Sequence, residues 1–146
     1  MRTEPNHQFE RRESGTAVVE SAMTLLLTFV LLLGIMEAGR FLNVQQTLTD
    51  AAREGARLAI APVTRTSTLA SEDQIRSEVQ RFLDAARING ASVDIERPVV
   101  IDTGGIPTEF TRVRVSIPYN VMSISMFSAL EVTLKGEALM RNETSP

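Results

Sequence analysis

Between Ser21 and Met36 the chain reads SAMTLLLTFVLLLGIM, with no charge. A run this apolar is stable in only two places, a large protein core or lipid. The whole chain has 146 residues, enough for one modest domain and a modest core. Extended back to Thr16, the segment 16–36 spans roughly 31 Å as a helix, close to the hydrocarbon thickness of a bilayer. It is therefore read as a transmembrane segment. A cleavable secretory signal is the competing reading. Its apolar part is shorter, about 7–15 residues, and ends in a small-x-small site. Met36-Glu37-Ala38 is a poor version of that site.

The flanks differ in kind. Residues 1–15 (MRTEPNHQFERRESG) mix Arg2, Arg11 and Arg12 with Glu4, Glu10 and Glu13. Such a stretch lacks the apolar surface to fold alone and is read as a cytoplasmic leader. On the other side no proline occurs between Pro5 and Pro62. Phe41, Val44, Leu48, Ala51, Ala52, Gly55 and Leu58 recur at helical spacing. One long helix over about 16–60 follows, with residues 37–61 as its amphipathic extension. Pro62 and the polar run Thr64–Thr68 should end it.

Residues 62–146 read as a small head. Ser71-x-x-Gln74 is a capping-box pattern opening a helix over 71–88. Ile75, Val79, Phe82, Leu83 and Ala86 form its apolar stripe, and Asn89-Gly90 supplies a stop. Period-two alternation then marks three strands. The first holds Val93 to Ile101, with Pro98 marking an edge or a break. The second holds Val113 to Val121 and the third Leu130 to Met140. Thr103-Gly104-Gly105-Ile106-Pro107 is turn chemistry. Met122–Ala129 is apolar and fits no class. The expected fold is α+β, a three-stranded antiparallel sheet and the second helix packed beside the outer half of the long helix.

Several functions are excluded by inventory. The net charge is -3, against phosphate-backbone binding, so no nucleic-acid partner is expected. There are no cysteines, and His7 is the only histidine. A thiolate site, a cysteine nucleophile or a multi-histidine metal site cannot be assembled in one chain, and His7 lies in a polar N-terminal stretch that offers no setting for a His-dependent triad. Asp94, Glu96 and Asp102 lack the ligand spacing of a calcium loop. Gly104-Gly105 has no Lys-Ser/Thr after it and is no phosphate loop. No enzymatic activity, cofactor, metal or small-molecule substrate is expected. Arg40, Arg53 and Arg57 read as a solvated helix face, with lipid head groups or partners as the alternative.

Glu20 is the most informative residue. It interrupts the apolar run one helical turn in (TAVV-E-SAMTLLL). A carboxylate at the bilayer centre costs about 2.5–3.5 kcal/mol, less near an interface. Snorkelling to the surface is one outcome. A cut after Gly15 offers another, because Thr16 then carries a new amine four positions before Glu20, on the same helix face. The amine of a neighbouring subunit could serve as well. Either pairing makes Glu20 a device of registry, since a wrong stagger leaves the charge unpaired. Gly34-x-x-x-Ala38 is a small-xxx-small match. Ala51, Ala52, Gly55, Ala56 and Ala59 form a small-residue face, open to subunit packing or to packing on the chain's own head.

Ser14-Gly15 followed by Thr16-Ala17-Val18-Val19-Glu20 resembles the class III signal of type IV pilin-like proteins. Gly15–Ala61 as a whole resembles the TadE-like pseudopilins of tight-adherence pilus systems. Gly34-Ile35-Met36-Glu37-Ala38-Gly39-Arg40 and Ala51-Ala52-Arg53-Glu54-Gly55-Ala56-Arg57 carry most of it. The C-terminal half is similar more loosely. The resemblance implies cleavage between Gly15 and Thr16 by a prepilin peptidase, with Glu20 in recognition or assembly. It also implies the bacterial inner membrane, an extracytoplasmic head, and other pilin or pseudopilin subunits as partners. Ser21 stands where the family often has an aromatic residue. Leu26 stands where many members have proline, so no kink is expected there. An uncleaved signal-anchor carrying a binding head is the alternative.

Overall fold

The computed structural model describes residues 7–61, 69–102, 104–121 and 131–142, with side chains from Gly15 onward. The elements run α1 (His7–Ile60), α2 (Glu72–Ala85), β1 (Ser92–Asp102), β2 (Pro107–Asn120) and β3 (Glu131–Arg141). The fold is α+β, as the periodicities required. The chain divides into two units, residues 1–39 and residues 40–146, so α1 contributes to both.

α1 starts at His7, ahead of the start expected near residue 16. Residues 8–14 include Gln, Glu and Arg, all good helix formers, and no breaker separates them from the apolar run. A single Gly15 costs only about 1 kcal/mol relative to alanine and does not stop the helix. α1 also passes through Leu26 without interruption, as expected of a chain lacking proline there. It ends at Ile60; the Pro62 and Thr64–Thr68 stop lies outside the described residues, as do Met122–Ala129 and Leu130.

In the head, the sheet has the order β1-β2-β3, antiparallel throughout. β2 is central, pairing Val115 with both Val93 and Gly136. Pro98 does fall on an edge strand, where the β1–β2 register shifts between Glu96 and Val99. A residue without an N–H fits that break in the ladder. The Arg97–Pro98 bond is cis.

α2 begins with a complete capping box. Gln74 N–H donates to Ser71 Oγ at 3.3 Å, and Ser71 N–H donates to Gln74 Oε1 at 2.9 Å. Its end differs from expectation. The helix stops at Ala85, and the left-handed residue is Arg87, with φ of 59°. Arg87 N–H donates to Asp84 O and Ile88 N–H to Leu83 O, the two bonds of a Schellman motif. Ile88 and Leu83 join the same apolar core, which pins the chain there before Asn89-Gly90 is reached.

The core lies between the inner sheet face and the two helices. α1 supplies Leu48, Ala51, Ala52, Ala56 and Ala59, and α2 supplies Ile75, Val79 and Leu83, all fully buried. The sheet answers with Val113, Val115, Leu134 and Ala138. Each large side chain buried here contributes about 1.5–3 kcal/mol. Two glycines set the close approaches. A Cβ on Gly55 would come within 2.5 Å of Val79 Cγ2, and one on Gly136 would meet the backbone of Leu48.

Candidate functional site: the N-terminal helix

The first unit is α1 alone, from its start to Gly39. Gly15, Thr16 and Glu20 all lie within the helix and are exposed. So are Gly34 and Ala38, with nothing within 4 Å of a Cβ placed on Gly34. Around them large apolar side chains stand out from the helix, Leu25 at 71% and Leu27 at 72% exposure. Water does not favour such a surface at this density, and lipid does. Helix rise puts Thr16 and Glu20 on one face, as the spacing implied.

The small-residue face of α1 has the other fate. Ala52, Gly55, Ala56 and Ala59 are buried in the head, Gly55 against Val79, Val113 and Ile75. Of the two packings open to this face, the structure shows the one on the chain's own head. The sequence-predicted site residues thus fall into two groups. Gly15, Thr16, Glu20, Gly34 and Ala38 present themselves outward, and the alanines with Gly55 organise the fold.

At the start of the head, Arg40 reaches back to the end of β2. Its Nε–H donates to Tyr119 Oη at 2.9 Å, and its Nη2 donates to Asn120 O at 3.3 Å. The guanidinium carbon lies 5.1 Å from the Tyr119 ring centroid. Phe41 meets the same ring edge-on, centroids 5.7 Å apart and planes at 86°. Tyr119 is 7% exposed. This cluster was not expected from the sequence, where Arg40 reads as solvated. The available signal was the chain's only tyrosine closing the second strand. Gly136 was missed too, though a glycine in the inward slot between Leu134 and Ala138 signals close backbone approach.

The other charges are mostly spent on one another. Glu96 pairs with Arg112 at 2.7 Å and Asp94 with Arg114 at 3.8 Å, across the β1–β2 ladder. Glu137 pairs with both arginines at 3.1 Å. The Arg112 Nε contact is an ion pair without hydrogen-bond alignment. Asp102 Oδ1 accepts from Gly105 N–H at 2.6 Å, closing the hairpin turn. On the helices, Arg57 binds Glu54 through Nε and Nη2 at 3.1 and 2.6 Å, and Arg81 binds Glu78. The Arg57 hydrogen bond, opposed by partial burial, holds the Glu54 carboxyl below its ordinary value of 4.5. Arg57 and Arg81 are raised by their hydrogen-bonded glutamates. Arg53 pairs with Asp50 at 3.3 Å.

Among the described residues one helix, near the N-terminus, is long and apolar enough to cross a membrane, consistent with a membrane-anchored protein. Residues 15–57 match the family model described as TadE-like protein. The match takes in the apolar half of α1 and most of its amphipathic half, in keeping with the resemblance carried by Gly15–Ala61, and supports a tight-adherence pilus-associated protein. No curated protein and no solved structure matches the chain.

Proposed function

We propose that this chain is a minor pseudopilin or assembly factor of a tight-adherence pilus, with no enzymatic chemistry of its own. α1 anchors it in the bacterial inner membrane, with the head on the extracytoplasmic side. A prepilin peptidase cuts between Gly15 and Thr16, and the mature chain meets other pilin or pseudopilin subunits through its N-terminal helix. The observation that carries this reading is Glu20. It is exposed and is the one charged residue between Gly15 and Met36, one turn beyond Gly15-Thr16, inside the segment that matches the TadE-like model. A carboxylate so placed is costly in lipid unless a positive group meets it, and the amine released at Thr16 is the nearest candidate. Intact mass of the membrane-extracted natural protein is the test. A chain beginning at Thr16 is expected, and a chain that keeps residues 1–15 overturns the proposal. Retention would favour an uncleaved signal-anchored binding module, which the unbroken run of α1 through Gly15 also accommodates.

A further inference from the structure

Arg40 is the fourth residue after Met36, the last of the charge-free run. A chain covers at most about 3.6 Å per residue, so Arg40 lies within about 14 Å of that run, a bound that holds for any arrangement of the two units. The polar layer on each side of the hydrocarbon is about 5–7 Å deep. Arg40 also binds Tyr119 Oη and Asn120 O, and its guanidinium lies over the Tyr119 ring. The end of β2 is therefore held close to the lipid head groups together with Arg40.

That end of the head carries apolar side chains the core does not use. Leu42 is 58% exposed, and Val132, which faces Tyr119 across the β2–β3 ladder, is 37% exposed. β2 ends and β3 begins here, and residues 122–130 between them are all apolar or serine, with no charge. Singly, exposed apolar residues are ordinary on a protein surface. Here they share one end of the head with the point where the chain leaves lipid. An arginine and a tyrosine with polar tips, set among exposed apolar side chains, is the composition of a membrane–water interface, where each side chain is half wet. We propose that this rim of the head, Leu42, Tyr119 and Val132 held together by Arg40, rests in the head-group layer of a phospholipid bilayer. Leu42 and Val132 then meet the upper acyl chains, and the Arg40 guanidinium lies at the level of the phosphates. The head is seated on the membrane surface rather than tethered above it. The inference rests on the reading of α1 as a membrane helix.

The chain has no cysteine, so a single introduced one carries a fluorescent label without background. Val132→Cys is labelled in the full-length chain and reconstituted in vesicles of phosphatidylcholine and phosphatidylglycerol. The vesicles carry a nitroxide quencher either on the head groups or deep in the acyl chains. Ile106→Cys, exposed just before the opposite end of β2, is the reference for a site away from the membrane. Leu31→Cys, inside the charge-free run, is the reference for a site within it. Head-group nitroxide is expected to quench the Val132 label at least about threefold more than the Ile106 label. Adding Leu42→Glu, at an exposed position, should bring the Val132 label towards the Ile106 value with the unfolding midpoint of the head unchanged. Equal quenching at Val132 and Ile106, or quenching at Val132 that Leu42→Glu leaves unaltered, would overturn the proposal. A Leu31 label untouched by acyl-chain nitroxide overturns the membrane reading of α1 and the rim with it. Quenching at Leu31 without quenching at Val132 sinks the rim alone. Quenching at both, on natural chains that all keep residues 1–15, sinks the pseudopilin reading alone.

Discussion

Gly136 of β3 lies directly against the backbone of Leu48 in α1. A Cβ there would overlap the Leu48 carbonyl group and come within 2.5 Å of Thr49 N. Neither obstacle can rotate away, because both belong to the helix backbone. Gln45 Nε2 donates to Lys135 O at 2.7 Å one residue along, fixing the same approach. Gly136→Ala should therefore destabilise the head by about 2–3 kcal/mol, at the upper end of overpacking costs. Denaturant unfolding of the full-length chain in detergent measures it. A loss under about 0.5 kcal/mol, the range of an ordinary surface change, would mean that the helix and strand are not this close.

Gly55 presents a softer version of the same constraint. Its obstacle is the Val79 side chain, fully buried on α2. Gly55→Ala gains about 1 kcal/mol of helix propensity and loses about 1–3 kcal/mol to overlap. The net effect should be a loss near 1 kcal/mol. Val79→Ala alone should cost about 2 kcal/mol from two lost methyls and the cavity. In the double variant the new methyl occupies part of that cavity. The combined loss should fall short of the sum by about 1 kcal/mol, and strict additivity would place the two residues apart.

These two glycines also show what the sequence could and could not convey. Binary patterning is local, so the helix through Leu48, the α2 stripe and the alternation in β2 were legible directly. The capping box at Ser71 and Gln74 was legible for the same reason. Whether Ala52 and Gly55 meet another subunit or the chain's own head was not legible, because a small-residue face has the same spacing for either partner. Arg40 and Tyr119 are 79 residues apart, and no local pattern links them. α1 starts earlier, at His7, than the polarity of its first residues implies, because a helix already nucleated by its neighbour extends into polar residues at little cost.

Arg87 closes α2 in the left-handed region at φ 59°, a conformation that costs a residue with a Cβ roughly 1 kcal/mol or more. Its side chain is exposed, so no packing is lost by removing it. Arg87→Gly relieves the backbone and gives up some unfolded-state restriction. The balance should stabilise the head by about 0.5–1 kcal/mol. Thermal unfolding of the variant beside the parent decides it, and a lowered midpoint would contradict the Schellman closure.

Glu54 gives the head a small acid sensitivity. Its carboxyl is depressed first by the Arg57 hydrogen bond, with the charges of Arg57 and Arg81 adding to it and burial working against it. A group depressed in the folded state stabilises fully above its unfolded value, near 4.5. That contribution fades as pH falls through the lower folded value. Arg57 is largely solvent-exposed, so the amount is about 0.5 kcal/mol or less. Glu54→Gln should lower stability by that much at neutral pH. The gap between variant and parent should close in acid, once both side chains are uncharged. A gap that persists unchanged at low pH would assign the effect to packing instead.

The Arg40 cluster allows its hydrogen bond and its ring contact to be separated. Tyr119→Phe removes the hydroxyl that accepts from Arg40 Nε–H and keeps the ring beneath the guanidinium and beside Phe41. The loss should be about 1 kcal/mol. Arg40→Lys keeps the charge but not the planar fork, so one ammonium cannot serve both Tyr119 Oη and Asn120 O in this geometry. It should cost at least as much as Tyr119→Phe. Combining the two should cost less than the sum of the single losses, because both changes remove the same Arg40–Tyr119 hydrogen bond. The chain has one tyrosine and no tryptophan, so the ultraviolet emission of the Arg40→Lys variant reports Tyr119 directly. A spectrum and an unfolding midpoint both indistinguishable from the parent would show that the guanidinium does not hold the strand end.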